Sequence, residues 1–117
     1  MDDKTTTVDQ LKALVARFVA ERDWRQFHDP KNLSMSIAIE AAELMEHFQW
    51  VRSDQLPELL ADEQSRQEIE EELADVLAFV VSLANCLEID LSDALAGKMK
   101  KNAEKYPPDD YHGRYRL

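Results

Sequence analysis

Residues 62–87 read DEQSRQEIEEELADVLAFVVSLANCL, and within them Ile69, Leu73, Val76, Leu77, Val80, Leu83 and Leu87 recur at steps of three and four. Apolar residues at that spacing form one face of an α-helix, and this stripe is sustained over about five turns. The spacing predicts a long central helix, with Asp62 or Ser65 available to start it. Upstream, Val8, Leu11, Leu14, Val15, Phe18 and Val19 carry the same period, so a first helix is expected from about Thr7 to Asp23 with Thr6 or Thr7 as its N-cap. Leu33, Ile37, Ala41, Leu44 and Phe48 place a second helix over 33–51, capped by Asn32. Downstream, Asp90 followed by Asp93 suits the start of a fourth helix over 91–105, and Tyr106-Pro107-Pro108 stops it. The stretch 24–32 has no period and reads as an ordered connection, while Ser53 to Ala61, containing Pro57, has room for one short turn of helix.

Only two Gly and four Pro occur in 117 residues, and they fall where the apolar period breaks. The expected fold is therefore all-α, a four-helix bundle in a single domain over residues 1–117, with 107–117 as an extended tail. In that tail Tyr111, Arg114, Tyr115 and Arg116 suit docking on a neighbour. Four short helices cannot cover every apolar position around one axis. The surplus on the first helix and at Phe27, Phe48 and Trp50 points to a homo-oligomer.

Acidic residues outnumber basic ones 24 to 14, for a formal charge of −10, which argues against a nucleic-acid partner. A single small anion escorted by metal ions remains compatible with it. The 44% of hydrophobic residues suffices for a core, and no apolar run approaches the ~20 residues of a membrane span, so no membrane role is expected. The N-terminus lacks the basic and apolar regions of a secretion signal, and one cysteine, Cys86, cannot form an internal disulfide; the expected location is the cytoplasm.

The chemistry sits on two helices. The second carries Glu40-Ala-Ala-Glu43 and the third Glu72-Leu-Ala-Asp75. At about 100° per residue, Glu40 and Glu72 each fall roughly 60° from the centre of their apolar stripes, with Glu43 and Asp75 beyond them. Acid pairs three apart are common on solvated faces, but two pairs at the rim of a core are a different matter. If the two helices pack antiparallel the four carboxylates face one another, and such a cluster must either protonate or take up a cation. All-oxygen donors favour a hard divalent ion, Mg²⁺ first and Mn²⁺ as a substitute. A di-iron bundle would need Glu-x-x-His on two helices; His47 instead follows Glu43 by four, and the other two His lie outside the long helices.

On the fourth helix Leu91, Leu95, Lys98 and Asn102 share one side, so two polar residues occupy a face expected to point inward. Lys98 either snorkels to water or meets phosphate oxygens, and Asn102 is then a phosphate or sugar contact. Trp24, His28, Trp50 and Phe79 supply aromatic surface near helix ends or beside the acids. Each serves equally well as packing, or, for His28, as a loop hydrogen-bonding group, but a planar base needs stacking partners and these are the candidates.

These residues resemble a known family, the all-α MazG-like nucleoside triphosphate pyrophosphohydrolases, in particular their small dCTP pyrophosphatase-like branch. The resemblance covers nearly the whole chain. It rests on Glu40-x-x-Glu43, 28 intervening residues, Glu72-x-x-Asp75, and the flanking DWRQFHDPKNL, EAAELMEHFQW, EELADVL and KMKKNAEKYP. It implies Mg²⁺ held by Glu40, Glu43, Glu72 and Asp75, which also form the catalytic set. It further makes Trp24, Trp50, Lys98 and Asn102 similar to substrate-pocket positions, beside the His28 and Phe79 candidates read from the residues. The implied reaction converts a (deoxy)nucleoside triphosphate, dCTP or a modified dCTP, to the monophosphate and pyrophosphate, in a homotetramer built as a pair of dimers. Phe79 stands where some relatives carry Tyr and Val15 where some carry His. Which acid is the general base is open. Two rival readings are a non-catalytic acidic helical interaction module and a dUTP or broad-specificity relative.

Overall fold

The computed structural model describes residues 1–116, and among them every regular element is helical. The long helices are α1 (Val8–Glu21), α2 (Pro30–Glu46), α4 (Glu63–Leu87) and α5 (Leu91–Lys105). Two short ones, α3 (Leu56–Ala61) and α6 (Pro108–Tyr111), lie between and after them, with 3-10 turns at Trp24–Phe27 and Ser53–Gln55. The all-helical expectation is borne out. Among the described residues no helix is long and apolar enough to cross a membrane.

The boundaries follow local hydrogen bonding. Thr7 closes a capping box with Gln10: its hydroxyl accepts from the Gln10 N–H at 3.1 Å and its own N–H donates to Gln10 Oε1 at 2.8 Å. Asp62 caps α4 and Asp90 caps α5 through carboxylates that accept from Ser65 and Asp93 N–H groups. The expected start of α2 is corrected. Asp29, not Asn32, is the N-cap; its Oδ1 accepts from the Asn32 N–H at 2.8 Å, and Pro30 occupies the first helical position, where a missing N–H costs nothing. Asn32 instead donates its side-chain amide to the Phe27 carbonyl at 3.1 Å, tying the connection to the helix. α2 also stops at Glu46 rather than 51, because Phe48 and Val51 switch to i−3 partners, Met45 and Phe48, that tighten the chain into turns.

α2 packs along α4, and α1 lies across the second half of α4, where the Asn85 side chain bonds the Lys12 carbonyl. Among the described residues the buried apolar side chains are few: Val19, Leu33, Val81 and Ala84. Leu73, Leu77, Val81 and Ala84 occupy one strip of α4 at steps of four, four and three. The strip is buried at Val81 and Ala84, yet Leu73 and Leu77 are 57% and 49% exposed. Burial on α4 therefore changes along the helix as well as around it: Ile69, Glu72 and Val76 are half-buried at helical spacing, and the deepest residues lie at the end that α1 reaches.

The fourth long helix departs from expectation most. α5 is exposed along nearly its whole length, Leu95 at 64% and Met99 at 55%, so Lys98 faces solvent and Asn102 is only half-buried, its amide 3.8 Å from Met99 Sδ. Among the described residues, Leu91, Leu95, Lys98 and Asn102 form no buried inward face: Leu91 and Asn102 are half-buried, Leu95 and Lys98 exposed. The radius of gyration is 17.4 Å, against roughly 13 Å for a compact domain of this length. Three helices form a layer, and α5 projects from it.

Candidate functional site

The acid-bearing stretches meet at the contact between α2 and α4. Carboxylate oxygens of Glu40, Glu43 and Glu72 lie within 4.8 Å of one another. Asp75 stands outside this tightest set, close enough for its charge to act on both Glu40 and Glu72. Glu40 thus feels the charges of Asp75 and Glu72 on α4, and Glu72 those of Glu43 on α2 and of His47 at the end of α2.

Two oxygens in the cluster have lost water without gaining a partner. Glu40 Oε2 and Glu72 Oε2 are sealed from solvent and make no hydrogen bond. Burial, the Glu43 carboxyl beside it and the charges of Asp75 and Glu72 push the Glu40 carboxyl up to about 7. Burial and the Glu43 and Asp75 charges raise Glu72 as well, with His47 pulling the other way. A carboxylate stripped of water and facing other carboxylates is costly, and a divalent cation removes that cost by supplying the missing partner. The donor set, oxygen throughout, fits Mg²⁺ or Mn²⁺.

The remaining sequence candidates are dispersed. Phe79 is one turn beyond Asp75 on α4 and half-buried. Trp24 packs edge-on against Phe18, ring centroids 5.7 Å apart, and the Arg22 guanidinium covers the same Phe18 ring at 3.8 Å. Trp50 is 88% exposed in the turn after α2. The structure therefore assembles no stacking sandwich from Trp24, Trp50 and Phe79 within one chain. Lys98 and Asn102 lie on the projecting α5. Of the proposed base contacts, His28 lines a cavity that also takes in Arg25, Ser82, Asn85 and Cys86. The sequence reading passed over the last four. The available signal was Ser82 and Asn85, two polar residues inside the apolar run of α4.

An all-helical chain with Glu-x-x-Glu on one helix set against Glu-x-x-Asp on the next defines a class: the chain belongs to the MazG-like family, whose model matches residues 35–116. It is similar to dCTP pyrophosphatase 1 from Mus musculus, 43% identical over 102 residues. It is also similar to dCTP pyrophosphatase 1 from Homo sapiens, 40% identical over 101 residues. Each match covers 86% of this chain but 59% of the relative, so the chain spans about three-fifths of their length. Among solved structures, a pyrophosphatase from Archaeoglobus fulgidus superposes with a TM-score of 0.80 at 42% identity, covering 92% of this chain and 98% of that one. The family resemblance read from the sequence is thereby borne out.

Proposed function

We propose that the protein hydrolyses a (deoxy)nucleoside triphosphate, dCTP or a 5-substituted dCTP, to the monophosphate and pyrophosphate, with Mg²⁺ at Glu40, Glu43, Glu72 and Asp75. The observation that carries this reading is the pair of sealed, unpartnered oxygens on Glu40 of α2 and Glu72 of α4, in a cluster whose carboxylate oxygens lie within 4.8 Å of one another. The similarity to dCTP pyrophosphatase 1 and to a pyrophosphatase supports it. When bound, Mg²⁺ neutralises charge on the phosphate oxygens and acidifies a coordinated water. The carboxylates orient the phosphates for in-line attack, and one of the four accepts the proton of the attacking water. Lys98 and Asn102 contact phosphate and sugar from α5. Trp24, Trp50, Phe79 and His28 are the proposed aromatic contacts.

The net charge of −10 accords with a substrate that arrives as a metal chelate rather than as a naked anion. Our reading includes a homotetramer, a pair of dimers, in the cytoplasm. The exposed Leu73, Leu77, Leu95 and Met99 and the projecting α5 support association, since a lone chain leaves this apolar surface in water.

Pyrophosphate release measured across the eight common nucleoside and deoxynucleoside triphosphates, with and without Mg²⁺, tests the proposal. Release that is fastest with dCTP and stops on chelation is expected. No release from any nucleotide would leave the acidic interaction module as the better reading. Equal release from all, or a preference for dUTP, would retain the reaction and reject the base.

A further inference from the structure

The strip of α2 that bears the acids carries one more titratable side chain, His47. It follows Glu40 by seven residues and Glu43 by four, and its backbone is still helical, with φ −63° and ψ −21°. At about 100° per residue those steps turn His47 to within about 20° of Glu40 and about 40° of Glu43, so the three side chains share one face. Glu40 presents a sealed oxygen on that face, and α2 packs along α4 there. His47 is therefore directed to the same groove, one turn or about 6 Å beyond Glu43 along the axis. It is half-buried. Its charge reaches Glu72 on the opposite helix.

Two facts separate His47 from its acidic neighbours. It is outside the carboxylate set that closes within 4.8 Å, so it is not one of the tight oxygen ligands. Among the described residues its imidazole makes no hydrogen bond and no ion pair, although it is half-buried beside four acids. The site also lacks other donors. Arg52, just after α2, is held by Asp54 at 3.1 Å, and Arg66 of α4 by Glu70 at 3.1 Å. Lys98 is exposed on the projecting α5. Ionised carboxylates only accept hydrogen bonds, whereas an imidazole keeps one ring N–H when neutral and has two when charged. A triphosphate chelated by one divalent cation is still an anion, and its oxygens away from the metal need donors. His47 is the side chain at this groove that can supply one.

We infer that His47 is a phosphate-binding residue of this site, its ring N–H donating to a phosphate oxygen of the metal-chelated nucleotide beside the carboxylates of α2 and α4. The inference rests on the hydrolytic reading above and adds to it a side chain that stands outside both acid pairs. It divides the work at the groove: the carboxylates take the cation, and His47 takes an oxygen the cation does not reach. The contact is to the ligand and not to the metal, so loss of the imidazole weakens phosphate binding and spares metal binding. A side chain that merely packed the end of α2 would do neither selectively.

The experiment has two arms on the full chain. In the first, pyrophosphate with Mg²⁺, the α,β-methylene analogue of dCTP with Mg²⁺, and Mg²⁺ alone are titrated calorimetrically into wild type, His47→Leu and His47→Gln. His47→Leu should weaken both phosphate ligands roughly tenfold or more, the worth of one hydrogen bond to a charged group, and leave the affinity for Mg²⁺ alone unchanged. His47→Gln keeps an N–H donor at similar reach and should recover most of the loss. The second arm uses the wild type. The ring nitrogens of His47 in a ¹H–¹⁵N correlation spectrum should shift on adding pyrophosphate with Mg²⁺ and hold still with Mg²⁺ alone. That arm reads the contact even if the variants fail to fold. Equal phosphate affinity in all three proteins, a His47→Leu that loses Mg²⁺ alone to the same extent, or a ring that pyrophosphate does not shift overturns the inference. If the wild type still releases pyrophosphate from dCTP, the reaction stands without His47. A wild type that hydrolyses no nucleotide overturns the reaction itself.

Discussion

Replacing Glu40 by Gln removes one charge from the carboxylate cluster without changing its shape, and the effect on stability should reverse with metal. In the metal-free protein the Glu40 carboxyl is raised from 4.5 to about 7. A carboxyl raised on folding holds a proton that the unfolded chain has lost between these values. Stability is therefore highest below about 4.5, falls as pH rises through this window, and the penalty is complete above about 7. The rise corresponds to at most about 3 kcal/mol, and because the carboxyl is only partly enclosed, solvent screening brings that to about 1–2 kcal/mol. Glu40→Gln should then raise the metal-free Tm at pH 8 by about 4–8 °C and change it little at pH 5. Adding millimolar Mg²⁺ should raise the wild-type Tm, and raise that of the variant much less, because a ligand has been lost. Scanning calorimetry at fixed protein concentration, with chelator or with Mg²⁺, reads all four conditions. A variant less stable than wild type at pH 8 without metal, or an equal shift at both pH values, would refute the reasoning that like charge and burial strain this cluster.

Glu72→Ala or Asp75→Ala should abolish turnover and leave the metal-free fold at least as stable, since each removes a like charge; retained activity sinks the assignment, and a collapse of Tm makes these acids structural. Trp50, 88% exposed in the turn after α2, should act through stacking that is equal in ground and transition states. Trp50→Ala then raises KM more than it lowers kcat, and the opposite pattern takes Trp50 out of base binding. Light scattering at micromolar concentration should give a mass near four chains. A mass near the single-chain 13.5 kDa rejects association, and one near two chains keeps the dimer and rejects the tetramer.

The sequence by itself determined the helices and the identity of the acids. Helical periodicity is a property of neighbours along the chain, and Thr7, Asp62 and Asp90 are caps whose partners sit three residues away, so local chemistry was enough to place them. It failed locally at both ends of α2: at Asp29, where a Pro at the first helical position outweighed Asn32 as the mark of a start, and at Glu46, where the chain tightens into turns before 51. The Glu-x-x-Glu and Glu-x-x-Asp pairs were legible for the same reason: i and i+3 share a face in any helix. Only the tertiary structure decided which of those acids close into the tightest set and that two of their oxygens are sealed, because both depend on how deeply α2 and α4 interlock. It also decided that α5 projects, leaving Lys98 and Asn102 apart from the acids, and that Leu73 and Leu77 stay open on a strip buried at Val81. The cavity at Ser82 and Asn85 was hidden in the sequence because its polarity is set by a hydrogen bond spanning 73 residues, from Asn85 to Lys12, and periodicity carries no information about contacts at that distance.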